Sequence, residues 1–436
     1  MLPKNKLAIA SALIVCAALA SACKSSSPHS ADAPGGTTGA GGAGPVSATN
    51  CPASATKAIG DGAEIKVGIV LPQSGPFAAL STVATGVSAY FDSVNADGGV
   101  AGHKLKLLVK DDGYDPSKTV VADNELISQD QIFATVAQVG TPTVAATQKL
   151  HEQTCTPQLW VQAGDPTISA DFGAHPWTTN GILAYNTESA MWGQYIKAHK
   201  PGATVAMLAL NNDFGGEYTT GVNKAAKTDG FSVATVQKVD PTATSVSSQI
   251  TTILSKRPDV VIGAVGGAFC SKFMQGLAQG GYQGITIVTT ACSSVNSFFK
   301  PVDPAGDKVF SLSTAPTLGA SAEQGVTRYE SDLRKYGNGV SPADNNVQAG
   351  YNCATLFVAA LNAAAASPGG LTRVSLMNAA WTLNYAAPLA IGPAKLSGAN
   401  DAYALETAQM TQYDAASHTQ KPTGEKFDEE GKSGAN

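Results

Sequence analysis

Histidine and cysteine, which often act as catalytic groups or metal ligands, are few in this 436-residue chain and lie far apart along it. Its six histidines have no motif partners, and neither a GxSxG nucleophile elbow nor a Walker lysine occurs. No pair of its seven cysteines has the CxxC spacing of a zinc site. The sequence therefore gives no support for an enzyme, and it predicts neither a metal nor a cofactor.

The cysteines instead fit an exported protein, in which disulfides are permitted. Cys16 and Cys23 lie in the N-terminal leader or at its end. The remaining five are Cys51, Cys155, Cys270, Cys292 and Cys353. An odd number leaves at least one thiol unpaired, and we expect it to be Cys353, which lies in an apolar helical stretch.

The N-terminus has the pattern of a secretory signal peptide, predicted over residues 1–22. Lys4 and Lys6 precede an apolar run of 16 residues, Leu7 to Ala22, which is shorter than the about 20 residues of a membrane-spanning helix. The closing ALASAC looks like the lipobox of bacterial lipoproteins, with Cys23 as the lipidation site. The alternative is an ordinary secretory signal, in which Cys23 is only the first mature residue.

Residues 23–60 are rich in Ser, Ala, Gly, Pro and Thr, so we expect a flexible linker behind the lipidated cysteine. No later stretch is apolar enough to span a bilayer. The chain is therefore predicted to be secreted and lipid-anchored to the outer face of the cell membrane, with each buried CH₂ contributing about 0.8 kcal/mol. Residues 421–436 are polar and are predicted to be a disordered tail.

The body alternates short apolar strands with amphipathic helices. It is long enough for two domains, and its net charge of −5 argues against nucleic acid as a partner. Near-continuous apolar strands indicate parallel sheets covered by helices on both faces, and the alternation starts afresh near Ala203. We therefore predict two α/β lobes with a ligand cleft at the carboxyl ends of their strands.

Six stretches resemble type I periplasmic solute-binding proteins, most closely the leucine/isoleucine/valine-binding branch that serves ABC importers. They lie in the family's order between Ile65 and Tyr413. The stretches are IKVGIVLPQSGPFA from Ile65, VNADGGVAGHKLKLLVKDDGYDP from Val94, VGTPTVAA from Val139, HPWTTN from His175, NNDFGGEY from Asn211 and RPDVVIGA from Arg257.

The resemblance implies an α/β fold of two doubly wound parallel-sheet lobes joined by a hinge with three crossings, near Thr179, Thr314 and Leu383. The expected first lobe is 61–180 plus 314–383, and the second is 181–313 plus 384–420.

The resemblance also implies where a ligand binds. In amino-acid-binding relatives, loops after the third and fourth strands hold the ligand carboxylate, and a second-lobe acid holds the ammonium. The matching positions here are Gly140, Thr141, Ala163, Gly164, Asp165 and Cys292.

This chain departs from that pattern at three of those places. Gly140 replaces a serine, Pro166 lies near the place of a ligand-binding hydroxyl, and TTACSS around Cys292 contains no acid. Asp165 is either a displaced ligand carboxylate or the N-cap of the helix after it. A free α-amino acid is therefore less expected than an amide, a small organic acid or an aromatic acid.

The resemblance adds five further cleft candidates. Ser74 and Leu80 follow the first strand, and Gly267 follows a second-lobe strand. Tyr185 either faces the cleft or packs at a helix start. Phe269 either contacts an apolar part of the ligand or belongs to the core.

Two disulfides are expected, the first of them from position. Cys270 and Cys292 each lie just past neighbouring predicted strands, so they could meet at bonding distance. Cys51 with Cys155 is the second pairing, and buried free thiols are the alternative to both.

The function predicted from these features is that of a monomeric, lipid-anchored solute-binding protein. It would close its hinge around a small polar solute and deliver it to an ABC permease. The alternative is a sensor that reports its ligand to a membrane receptor, since the fold allows either role.

Overall fold

The computed structural model describes residues 46–299, 308–318, 324–398 and 401–432. The predicted signal peptide, Cys23 and the linker up to residue 45 lie outside these residues. Among the described residues, no helix is both long and apolar enough to cross a membrane.

The first lobe is built on a parallel sheet in the spatial order β2-β1-β3-β4-β5. Its strands are β1 (Ile65–Leu71), β2 (Leu105–Asp111), β3 (Ala134–Val136), β4 (Gln158–Val161) and β5 (Thr178–Asn180). All of β1 except Lys66 is buried, as its continuous apolar run predicts for a strand covered on both faces.

Helices connect these strands, and each begins where local chemistry allows it. They are α1 (Ala53–Thr56), α2 (Thr82–Ala96), α3 (Pro116–Ser128), α4 (Thr141–Thr154) and α5 (Pro166–Ser169), with a 3₁₀ turn at Gly75–Ser81. The α3 helix starts on a proline, and the carboxylate of Asp115 accepts a hydrogen bond from Ser117 N–H. The predicted apolar face of α2 is buried at Val83, Val87, Phe91 and Val94.

The second lobe contains a seven-stranded sheet in the order β14-β13-β10-β9-β8-β6-β7. Its strands are β6 (Thr204–Leu210), β7 (Ser232–Val239), β8 (Val260–Ala264), β9 (Ile285–Val288), β10 (Val309–Ser313), β13 (Thr407–Asp414) and β14 (Thr419–Asp428). Strands β6 to β10 are parallel, whereas β13 and β14 add an antiparallel edge. Its helices are α6 (Tyr185–His199), α7 (Asp213–Asp229), α8 (Ser247–Ser255) and α9 (Ala268–Gln279).

After β10 the chain returns to the first lobe as α10 (Gln324–Tyr336), α11 (Asn345–Ala365) and α12 (Arg373–Trp381). Helix α11 packs directly on α2, because both carry a glycine at the contact. A Cβ atom on Gly86 would lie 2.1 Å from Val347 O, and one on Gly350 would lie 2.0 Å from Val83 O. These glycines let the two backbones touch.

The third crossing differs from the prediction. A short hairpin of β11 (Asn384–Tyr385) and β12 (Ala394–Lys395) folds back on the first lobe, where Leu396 N–H donates to Leu383 O. The chain reaches the second sheet later, beside the bridge between Asn180 and Tyr403. The predicted crossing at Leu383 therefore lies too early in the chain. No sequence signal indicated that a hairpin would bring the chain back beside the end of α12 before it crosses.

The predicted disordered tail is wrong over residues 421–428, which belong to β14. The polar residues of β14 suit an edge strand that is paired on one side only, and its Phe427 side chain is buried. The linker prediction is wrong from Val46 onward. Val46 is buried and its N–H donates to Asn378 Oδ1, so the chain is already packed there.

Both predicted disulfides are present and confirm the pairing. Cys51 is bonded to Cys155 with Cα atoms 5.5 Å apart, and Cys270 to Cys292 with Cα atoms 5.4 Å apart. Cys353 is the predicted free thiol, and it is buried in α11.

Candidate functional site

A cavity of about 120 Å³ lies between the two lobes, at the carboxyl ends of their strands. Elements of both lobes and the crossing segments line it. From the first lobe come Phe77, Leu80, Val83, Tyr114, Val139, Gly140, Gln162 and the α11 residues Asn345, Asn346, Gln348, Ala349 and Asn352. From the second lobe and the crossings come Gly181–Leu183, Tyr185, Leu210, Phe214, Tyr218, Gly266, Thr290, Ala291, Ser293, Leu312–Ala315 and Leu405. An apolar cavity of similar size, about 150 Å³, takes up benzene.

Aromatic rings form much of the wall. Tyr114 stacks on Phe77 with ring centroids 4.1 Å apart, and Tyr185 stacks on Tyr218 at 4.4 Å. Phe214 meets the Tyr185 ring edge-on at 5.1 Å. These stacked rings hold one another in place, so the apolar part of the cavity is preformed.

None of the described residues that line the cavity is charged, and the polar ones are amides and hydroxyls. Two of these amides lie on α11 and have atoms that are buried without a partner, Asn346 Nδ2 and Asn352 Oδ1. Both side chains belong to residues at least nine-tenths buried. Behind the first-lobe wall there are therefore one buried donor and one buried acceptor that no described residue pairs.

A carboxylate lies directly behind the second-lobe wall. Glu188 on α6 is fully buried and accepts hydrogen bonds from the hydroxyls of Tyr218 and Thr290 and from Thr290 N–H. Burial raises the pKa of Glu188 to about 7, although the three hydrogen bonds act to lower it. Glu188 thus ties α6 and α7 to the loop after β9.

The two lobes touch each other around the cavity. Asn345 Nδ2 on α11 donates to Ser293 Oγ of the second lobe at 2.9 Å. The Thr141 and Tyr185 hydroxyls are 3.1 Å apart. A Cβ atom on Gly267 would lie 2.6 Å from Pro76 O. These contacts describe a closed arrangement of the lobes.

Three of the predicted ligand-binding residues line the cavity. Leu80, Gly140 and Tyr185 do so directly, which places Tyr185 at the cleft as well as at the start of α6. Thr141 does not line the cavity itself, but its hydroxyl is hydrogen-bonded to the hydroxyl of Tyr185, which does.

The predicted residues of the fourth-strand loop do not line the cavity, because internal partners hold their polar groups. Ala163 O accepts a hydrogen bond from Asn180 Nδ2, and Gly164 O accepts one from Tyr185 N–H. The carboxylate of Asp165 caps α5 by accepting from Thr167 N–H and Oγ1. Asp165 is therefore the helix cap, not a displaced ligand carboxylate.

The other four predicted residues also lie off the cavity. Ser74 is exposed and hydrogen-bonds to Asp111. Gly267 touches the first lobe rather than the ligand space. Phe269 is a core residue with its ring 6.1 Å from that of Phe77, and Cys292 is held in its disulfide.

Several residues that line or support the cavity were not predicted, because the sequence pattern around them is weak. Tyr114, Phe214 and Tyr218 all fall inside the stretches that resemble the family, but no rule singled them out. The α11 amides recur at 345, 348 and 352, a helical spacing that the apolar series of α11 overshadowed. Glu188 gave no signal, because its importance rests on contacts with residue 290.

A group of three carboxylates lies away from the cavity lining. Oxygens of Asp401, Glu406 and Glu430 are within 4.8 Å of one another. Lys395 Nζ lies 3.1 Å from Glu430 Oε1, and Gly431 N–H donates to Glu406 Oε2. Partners within the chain thus offset part of this charge, and we assign no metal to the group.

The family model described as periplasmic binding protein matches residues 64–419. The chain belongs to the periplasmic binding protein family.

This periplasmic binding protein is similar to a leucine-, isoleucine-, valine-, threonine- and alanine-binding protein of Pseudomonas aeruginosa. The two are 24% identical over 171 residues, 39% of this chain and 45% of that protein. The chain thus spans less than half the length of the curated relatives it matches.

Two solved structures show the same fold. One is a fatty acid ABC transporter substrate-binding protein from Thermomonospora curvata, with TM-score 0.75, 22% identity and coverage of 85% of this chain and 94% of that one. The other is a branched chain amino acid ABC transporter from Thermus thermophilus with bound valine, with TM-score 0.75, 16% identity and coverage of 85% and 97%.

Proposed function

We propose that this periplasmic binding protein captures a small solute with an apolar body between its lobes and delivers it to an ABC importer. The observation that carries the proposal is the cavity itself. It is lined by both lobes at the carboxyl ends of their strands, and the hydrogen bond from Asn345 to Ser293 crosses its edge. A ligand that contacts both walls would stabilise the closed form.

The leader and anchor belong to the same proposal. A signal peptide over residues 1–22 and acylation of Cys23 would keep a monomeric binding body at the outer face of the membrane, close to its permease. Metabolic labelling with an alkynyl fatty acid tests this. We expect label on the full chain and none on Cys23→Ala, whereas equal labelling of both would contradict the anchor.

The direct test of solute capture is a thermal-shift screen of the full-length protein against amino acids, amides and small organic acids. A ligand at about 100 times its Kd should stabilise the fold by about 2.7 kcal/mol, which is a clear rise in Tm. Recovery of the ligand chemically unchanged after binding would support transport rather than catalysis. A screen without any stabilising compound would contradict solute capture.

A further inference from the structure

Glu188 sets the direction of two hydroxyl groups in the second-lobe wall. Its Oε2 accepts from the Tyr218 hydroxyl and from Thr290 Oγ1 at 3.2 Å, and its Oε1 accepts from Thr290 N–H at 2.9 Å. The carboxyl is fully buried, and Tyr218 and Thr290 both line the cavity. One buried carboxylate therefore contacts both hydroxyls of this pair, whereas the nearby Ser293 hydroxyl donates to Thr290 O.

A hydroxyl has a single hydrogen to donate and two lone pairs that accept. Because an ionised carboxylate only accepts, it draws the hydrogens of both Tyr218 and Thr290 toward itself. Burial also raises the pKa of the Tyr218 hydroxyl well above its usual value, so this phenol keeps its hydrogen. What remains for a ligand at these two hydroxyls is lone pairs alone.

We propose that Glu188 makes this wall a hydrogen-bond acceptor, and that the cavity thereby selects neutral apolar molecules with an N–H or O–H donor over carboxylates. The proposal rests on the proposed function and names its substrate class, of which primary amides are the clearest case. Glu188 acts through Tyr218 and Thr290, so it is a positioning residue for specificity.

The opposite wall is consistent with an amide. Asn346 Nδ2 and Asn352 Oδ1 are buried without a partner among the described residues, and both residues line the cavity, so a ligand reaches these atoms when the two amides turn toward it. A carboxylate can pair with the donor only, whereas an amide group can satisfy a donor and an acceptor. Among the residues that the structure describes, none in the lining carries a positive charge to hold a buried carboxylate.

The test uses matched pairs that differ only in the polar end: benzamide with benzoate, isovaleramide with isovalerate, and hexanamide with hexanoate. Affinities for the full-length protein are measured by titration calorimetry at pH 8.5, where the Glu188 carboxyl is ionised. We expect the best amide to bind at least about tenfold more tightly than its acid, since sites with buried hydrogen-bonding groups reject analogues that leave them unpaired.

Glu188→Gln is the diagnostic variant. Its amide must donate a hydrogen to one of its neighbours, so one hydroxyl turns and offers its hydrogen to the cavity. We expect the amide-to-acid affinity ratio to fall by about tenfold or more. Glu217→Gln is the matched control, because Glu217 lies on α7 outside the cavity lining. It should keep the wild-type ratio.

Thr290→Val gives a second route if Glu188→Gln fails to fold, as judged by circular dichroism and Tm. It removes one acceptor but leaves Thr290 N–H bonded to Glu188. Amide affinity should fall about fivefold, with acid affinity unchanged.

The outcomes separate the two proposals. Acids that bind wild type as well as amides do, or a ratio unmoved by Glu188→Gln and Thr290→Val, would overturn the role of Glu188 while leaving solute capture intact. Binding of neither amides nor acids, nor of any compound in the wider screen, would overturn solute capture and the role of Glu188 with it.

Discussion

Glu188 is a fully buried carboxyl that receives three hydrogen bonds, from Tyr218 and Thr290. The titratable groups that face it are Tyr218 on α7 and Tyr185 on its own helix. Burial raises the pKa of both tyrosines, so they remain neutral while Glu188 titrates. Desolvation of the carboxylate is the main cause of its own raised pKa.

This raised pKa makes stability depend on pH. The carboxyl titrates near 4.5 when unfolded and near 7 when folded, so between these values the folded chain binds more protons. Stability therefore falls as the pH rises through this window, by about 3 kcal/mol from this group.

Glu188→Gln removes that titration. In urea unfolding at pH 4.5 and 7.5, we expect the variant to lose less stability with rising pH than wild type, by about 3 kcal/mol. Glu217→Gln is the control and should follow wild type more closely. Parallel pH profiles for wild type and Glu188→Gln would show that the carboxyl titrates normally.

At the scale of elements, the two disulfides join segments that are far apart along the chain. Cys51–Cys155 joins the first packed segment to the end of α4 across a sequence separation of 104. Cys270–Cys292 joins α9 to the loop after β9 across a separation of 22, and Ala291 and Ser293 beside it line the cavity. The first bond is remote from the cavity lining, whereas the second stiffens it.

Removing each disulfide should therefore have a different effect. A disulfide that closes a longer loop stabilises the fold more. The double variant Cys51→Ser with Cys155→Ser should therefore lose about 4 to 5 kcal/mol of unfolding free energy, and Cys270→Ser with Cys292→Ser about 3 kcal/mol. Only the second pair should also weaken ligand binding. Denaturant unfolding and calorimetry measure the two effects, and equal affinity loss in both variants would contradict this assignment.

At the scale of the whole molecule, closure depends on a few polar contacts between the lobes. Asn345 extends from α11, at the cavity edge, to Ser293 of the second lobe. Because α11 packs against α2 through Gly86 and Gly350, we expect it to move with the first lobe as a rigid part. The bond from Asn345 to Ser293 thus reports the closed state.

Asn345→Ala should shift the protein toward an open form. We expect about a fivefold loss of affinity for whichever compound the thermal screen identifies, from the loss of one hydrogen bond. Small-angle scattering without ligand should also give a larger radius of gyration than wild type. Asn362→Ala is the matched control, since Asn362 is exposed further along α11. An unchanged radius and affinity in Asn345→Ala would rule out a role in closure.

The sequence determined the parts that depend on local pattern. Short apolar runs located β1 to β4 and β6 to β9 but not β5, β10, β13 or β14, and the spacing of Val83, Val87 and Phe91 gave the buried face of α2. The position of two cysteines beside predicted strands gave the Cys270–Cys292 disulfide, whereas no positional argument stood behind the pairing of Cys51 with Cys155. These features are encoded in residues close together along the chain, where periodicity and steric preference act.

Only the tertiary structure decided which residues make the cavity and what they offer a ligand. Glu188 meets Thr290 across 102 positions of the chain, and Asn345 meets Ser293 across 52. Polar groups at Asp165 and Gly164, which the sequence placed at the ligand, are instead held by a helix cap and by Tyr185. The physical reason is that hydrogen bonds form between atoms within about 3 Å, and sequence separation carries no measure of that distance.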